Sequence, residues 1–153
     1  MDAEVWPDPR VTRFVTETFI PARVHVKDDP EPFKRYSERY KAPWTPTILL
    51  LDANGVEHHR IEGFLPAADL LAQLMLGRAR IAFDEQQWAE AERRFRQIVE
   101  EFPQTDAAAE ALYWAGVTPY KATGDPLSLK QTAQAFTQRY QDTPWAKKAS
   151  VWA

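Results

Sequence analysis

The sequence predicts an α/β layer followed by an all-α extension, and two observations carry that fold class. Thr47 leads into the uninterrupted apolar run Ile48-Leu49-Leu50-Leu51, and the turn signal Asp52-Ala53-Asn54-Gly55 follows it. That is the pattern of a buried strand entering a hairpin. Beyond Gly77, apolar residues recur at gaps of three and four, first as Trp88, Ala91, Phe95, Ile98, Val99 and Phe102, the stripe of an amphipathic helix. Punctuation divides the chain at the same place: eight of its twelve prolines precede Gly77. The expected units are therefore 1–76 and 77–153.

Each element has its own reason. Residues 2–6 read as a helix end broken by Trp6-Pro7-Asp8-Pro9. Arg10 to Thr18 resumes helical spacing through Val11, Phe14 and Val15. Ala22 to Lys27 alternates Val24 and Val26 with Arg23, His25 and Lys27, which predicts a short strand. Asp28-Asp29-Pro30 ends it, and Phe33, Tyr36 and Tyr40 then share a helix face that Pro32 can open. After the apolar strand, Val56 to Phe64 predicts the second strand of the hairpin, with Gly63 marking a bulge or a close backbone approach. Pro66 opens a helix carrying Leu70, Leu71 and Leu74 that is free to run through Gly77. The 88–102 helix is stopped by Pro103. A third helix of the series starts near Asp106 and holds Pro119, which predicts a kink or an end there. Asp125-Pro126 and Thr143-Pro144 start two more helices.

Composition excludes several functions. The 153 residues contain no cysteine, which removes disulfides, thiol redox chemistry and cysteine-based zinc sites from this chain. A net charge of −3 argues against nucleic acid, which asks for a concentrated basic patch. The longest apolar run is far too short for a membrane span. Met1-Asp2-Ala3-Glu4 is no secretory signal, so the cytoplasm is the default expectation. His58 and His59 are neighbours on a strand and point to opposite faces, and His25 lies elsewhere, so no metal or other cofactor is expected. No phosphate loop or nucleophile motif occurs.

Two windows of the helical half match one another. Trp88-x-x-Ala91-x-x-x-Phe95 is followed by Pro103, and Thr132-x-x-x-Phe136 by Pro144; in both, Phe and Pro are eight apart. The spacing resembles the tetratricopeptide repeat, in which a small residue marks a helix crossing and proline ends the second helix. Phe102-Pro103-Gln104-Thr105 through Ala111-Leu112-Tyr113-Trp114-Ala115-Gly116 is similar to the outer-membrane-lipoprotein and cell-division-coordinator branch of these repeats. The resemblance covers about 75 residues, with a period longer than usual for such repeats. It implies a concave surface on which Tyr113, Tyr120 and Lys121 would meet a peptide.

The first half resembles a thioredoxin-like fold without its front. Helix, strand, helix, strand, turn, strand, helix is that layout minus the first strand, and Trp44-Thr45-Pro46-Thr47 leads into the buried strand as the cis-proline loop does there. The resemblance implies that Trp44, Thr45 and Pro46 bind extended peptide. Met1-Asp2-Ala3-Glu4-Val5-Trp6-Pro7-Asp8-Pro9-Arg10-Val11 is similar to the stretch after a Cys-x-x-Cys motif, which would place Met1 just past that motif. The absent strand would leave a slot between 22–27 and 47–51. Three outcomes are open: the two strands pair directly, a second chain donates a strand, or the reading frame starts upstream; the match begins mid-helix, which favours the last. The expected function is a non-catalytic protein-interaction module with a protein or peptide partner and a homodimer allowed through exposed sheet strands. The alternative is a fragment of a thiol–disulfide oxidoreductase whose Cys-x-x-Cys lies upstream.

Overall fold

The computed structural model describes residues 1–153. They form two compact units, Met1–Leu71 and Ala72–Ala153. The first is α/β and the second all-α.

The first unit opens with turns: the amides of Val5 and Trp6 both donate to the Met1 carbonyl. Helix α1, Pro9–Thr18, starts one residue before the expected Arg10. Asp8 caps it by accepting from the Arg10 amide at 2.9 Å, and Pro9 occupies a first-turn position where no amide is needed. The Arg10 guanidinium also bonds Asp8 and holds its carboxyl down at about 2. Helix α2, Pro30–Tyr40, ends at Lys41 in the left-handed conformation.

Strands β1, Thr47–Leu51, and β2, Glu57–Glu62, pair antiparallel as the only sheet. The β2 strand is narrower than the expected 56–64, because Val56 completes the turn and Gly63 already has positive φ. Gly55 also has positive φ, and the side chains of Arg39 and Tyr40 close over it. The Tyr40 hydroxyl donates to the Gly55 carbonyl at 3.1 Å. Arg60 of β2 donates to the carbonyls of Tyr40 and Lys41 while paired with Glu57. One guanidinium thus satisfies carbonyls at the end of α2 and fastens that helix to the hairpin.

The strand expected at Ala22–Lys27 does not form. The chain there is irregular and turns at Val26–Asp28. A strand exists only by pairing, and β1 pairs with β2 alone. His25 instead spends its backbone locally: its N–H donates to the Asp29 carboxylate at 2.9 Å, and its carbonyl accepts from the Asp29 N–H at 2.8 Å. An Asp side chain competing for backbone groups in this way overrides an alternating pattern. The expected helix end at residues 2–6 is likewise a series of turns.

Helix α3, Ala67–Asp84, is continuous through Gly77 and contributes residues to both units. In the second unit it is followed by α4, Trp88–Glu101; α5, Asp106–Thr123; α6, Leu127–Phe136; α7, Pro144–Ala149; and a short 3-10 turn, Ser150–Trp152. Ala91, Phe95, Ile98 and Val99 of α4 are buried, as the stripe requires. Phe83 makes edge contacts with Trp88, Phe95 and Trp114, at 5.1 to 6.5 Å between ring centres. At the crossing of α5 and α6, Gly116 faces Thr132 so closely that a Cβ on residue 116 would lie 1.9 Å from the Thr132 Oγ1.

Pro119 neither ends α5 nor marks a break in it; the helix continues to Thr123 and stops at Gly124 in the left-handed conformation. A proline removes one helical N–H. The N–H it lacks would have met the Ala115 carbonyl; the nearby hydroxyls bond other carbonyls, Thr118 the Trp114 oxygen at 2.7 Å and Thr123 the Pro119 oxygen at 2.9 Å.

Candidate functional site

The segment before β1 is short, exposed and held at both ends. The Thr47 hydroxyl donates to the Trp44 carbonyl at 2.7 Å, and the Gly63 amide donates to the Pro46 carbonyl at 2.9 Å. The Thr45–Pro46 peptide bond is cis. Between those anchors Thr45 lies exposed, and neither its N–H nor its carbonyl bonds any backbone group of the chain. The Trp44 side chain is 72% exposed, and Phe64, next to Gly63, is also exposed. Trp44, Thr45 and Pro46 therefore sit on one loop with an unburied indole and spare main-chain groups.

A tryptophan in solvent beside free amide and carbonyl groups has the chemistry to bind. The indole offers a large apolar face at low entropy cost, and the backbone groups accept an extended chain.

At the far end of the hairpin, Asp52 accepts from the amides of Asn54 and Val56 at 2.8 and 2.9 Å, and its other oxygen meets His58 at 3.2 Å. The Val56 N–H above all holds the Asp52 carboxyl below its usual range. These bonds shape the turn. No three His, Asp or Glu side chains lie close enough to share a metal ion.

In the second unit, Tyr113 stacks on Trp152 at 4.8 Å and meets Trp145 at 5.2 Å. Tyr120 and Lys121 are exposed in the last turn of α5. Tyr113 is thus bound up with rings of the chain's own C-terminal segment, two helical turns from the open pair.

Sequence reasoning missed Glu110. It sits in the α5 run Ala107-Ala108-Ala109-Glu110-Ala111-Leu112, where all the other members are buried. Burial pushes its carboxyl up, against the pull of Arg80, the Trp114 indole N–H and Lys148. The indole N–H is itself buried without a formed hydrogen bond. The sequence shows only that an acid interrupts an alanine-rich run; whether it is covered depends on the helix packed over α5, which spacing does not give. Arg80 stacks over Trp114 at 4.2 Å and Lys148 over Trp145 at 4.0 Å, so both nearby cations also face rings.

Among known families, a family model described as a thioredoxin-like domain matches residues 1–77. No curated protein and no solved structure matches the chain.

Proposed function

The chain belongs to the thioredoxin-like domain family through residues 1–77, and from that premise we propose that it is a protein-interaction module that binds extended polypeptide at Trp44, Thr45 and Pro46. The observation that carries this reading is the 72% exposure of Trp44 beside the unengaged backbone of Thr45. The chain supplies no thiolate, and exchange chemistry starts from one. Recognition is what the scaffold retains.

The second unit fits tetratricopeptide-like hairpins in this reading. Ala91, Phe95, Thr132 and Phe136, the matched positions of the two windows, are all buried, and the contact of Gly116 with Thr132 is the small-residue crossing such repeats use. Tyr120 and Lys121, with Tyr113 behind them, form the second contact surface for a partner.

The test uses fluorescein-labelled, permanently unfolded carboxymethylated α-lactalbumin as the extended probe. Anisotropy titration should show saturable binding, and Trp44→Ala should weaken it by about thirtyfold, since truncating an aromatic anchor costs about 2 kcal/mol. Absence of binding, or an affinity that Trp44→Ala leaves unchanged, removes the reading.

A second reading is favoured by β1 itself: the backbone groups of Thr47, Leu49 and Leu51 turn away from β2 and bond no other backbone group of the chain. A further strand beside it, followed by a Cys-x-x-Cys, would make these residues part of a thiol–disulfide oxidoreductase. The reading frame upstream of Met1 decides this: it either encodes that motif or it does not.

A further inference from the structure

We propose that Arg78, Arg93 and Arg94 form a binding site for a phosphoryl oxyanion, with the Arg78 guanidinium as its principal receptor. The inference goes beyond the peptide reading. All three residues lie on α3 and α4 within the second unit, and none belongs to the Trp44–Pro46 loop, so either can fail alone.

The turn after α3 folds α4 back along it, and Arg94 marks the contact. Its Nη1 donates to the Arg78 carbonyl at 3.2 Å. Glu90, one turn earlier on α4, already holds three guanidinium N–H groups. Its Oε1 accepts from Arg94 Nε at 2.8 Å and from Arg93 Nη2 at 2.6 Å, and its Oε2 accepts from Arg93 Nε at 2.9 Å. Arg78 is left over. It is half-buried, and its guanidinium makes no hydrogen bond, ion pair or ring contact within the chain. Burial lowers its pKa from the ordinary arginine value, Arg94 and Arg93 lower it further, and Glu90 alone among the acids opposes them.

Charge and geometry select the ligand class. A half-buried cation is costly to leave unpaired, and the chain gives Arg78 no acid of its own. The N–H groups of its planar fork are all open, and that fork matches two oxygens of a phosphoryl group at once. Arg93 keeps its Nη1 free beside it. Three guanidinium groups against one carboxylate leave an excess that a second carboxylate would only halve. A phosphoryl group, carrying about −1.5 to −2 near neutral pH, nearly cancels it. Glu90 holds Arg93 and Arg94 in place and, by its own charge, limits how tightly an anion can sit.

The test titrates the full chain with sodium phosphate near neutral pH, sodium chloride keeping the ionic strength constant, and follows the arginine Cζ carbons by NMR. The Arg78 signal should shift saturably, with a dissociation constant on the order of 1 mM. Arg78→Gln should weaken binding, read at Arg93, by about tenfold or more, the loss expected for a charge-assisted pair. Arg78→Lys keeps the charge without the fork and should fall between the two. Glu90→Gln should tighten binding, and Trp44→Ala should leave it unchanged. A parallel titration with phosphoserine identifies the source: tighter binding than phosphate names a carried phosphoryl group, weaker binding the free ion, and both uphold the site. An Arg78 signal that phosphate moves no more than chloride does, or phosphate binding that Arg78→Gln leaves intact, overturns the proposal. The first of these is read on the unaltered chain and holds even if the variants misfold.

Discussion

Glu110 is the one carboxyl whose surroundings work against its charge. Its pKa is raised by burial, while Arg80, the Trp114 N–H and Lys148 only partly compensate. A raised folded-state pKa means that the folded chain binds the proton more tightly than the unfolded chain does. Glu110 therefore disfavours the fold once pH climbs above the ordinary 4.5 of a glutamate toward its folded value, and it is neutral to stability below that. We expect Glu110→Gln to raise Tm at pH 7 by a few degrees, with the difference closing as pH drops to about 4. A paired melting series across that range checks it; equal curves at every pH would mean the two cations already compensate in full. Glu90 runs the other way, held at about 2 by Arg93 and Arg94. Such i,i+3 and i,i+4 pairs could be seen in the sequence from spacing alone. The burial of Glu110 could not, because it depends on which helix passes over α5.

At the scale of elements, local rules succeeded where the chain meets its own neighbours and failed where another element decides. The start of α1 at Pro9 and of α7 at Pro144 follow from capping residues next to them, with the Thr143 hydroxyl accepting from Ala146 just as Asp8 accepts from Arg10. The absent strand at Ala22–Lys27 and the intact helix at Pro119 were not legible. The first needed a pairing partner, and the second is an interior proline that the helix accommodates at the loss of one N–H. The crossing of α5 and α6 is the sharpest element-level contact. Gly116→Ala would place its Cβ 1.9 Å from Thr132 Oγ1 and 2.7 Å from Thr132 Cβ, so the helices must separate. Despite the better helix propensity of alanine, we expect a loss of about 1–3 kcal/mol in urea unfolding, typical of overpacking. Thr132→Ala in the same background removes the hydroxyl and methyl groups and should restore part of it. A neutral Gly116→Ala would mean that the crossing has slack.

Across the whole molecule, the two units differ in how much apolar surface they bury. In Met1–Leu71 the buried apolar side chains are Val5, Val11, Ala42, Leu50, Ile61, Leu70 and Leu71; Ala72–Ala153 has a far larger set, including Phe95, Ile98, Leu112 and Phe136. The α/β-then-all-α order was legible because hairpin and helix periodicities are local. The thinness of the first unit was not, since the same strand pattern serves a sheet of two strands or of five. Hydrophobic burial is the main favourable term in folding, so the units should open at different free energies. In dilute protein, native-state amide exchange under increasing urea should release α1, α2 and the hairpin at lower denaturant than α4 and α5. The Arg60 clamp sets the order within the first unit. Arg60→Ala leaves the Tyr40 and Lys41 carbonyls without the guanidinium, and it should bring α2 and β2 to earlier exchange together while α5 keeps its protection. Simultaneous release of β1 and α5 in the unaltered chain would instead mean that the thin unit draws its stability from the rest of the fold, and that the two behave as one cooperative body.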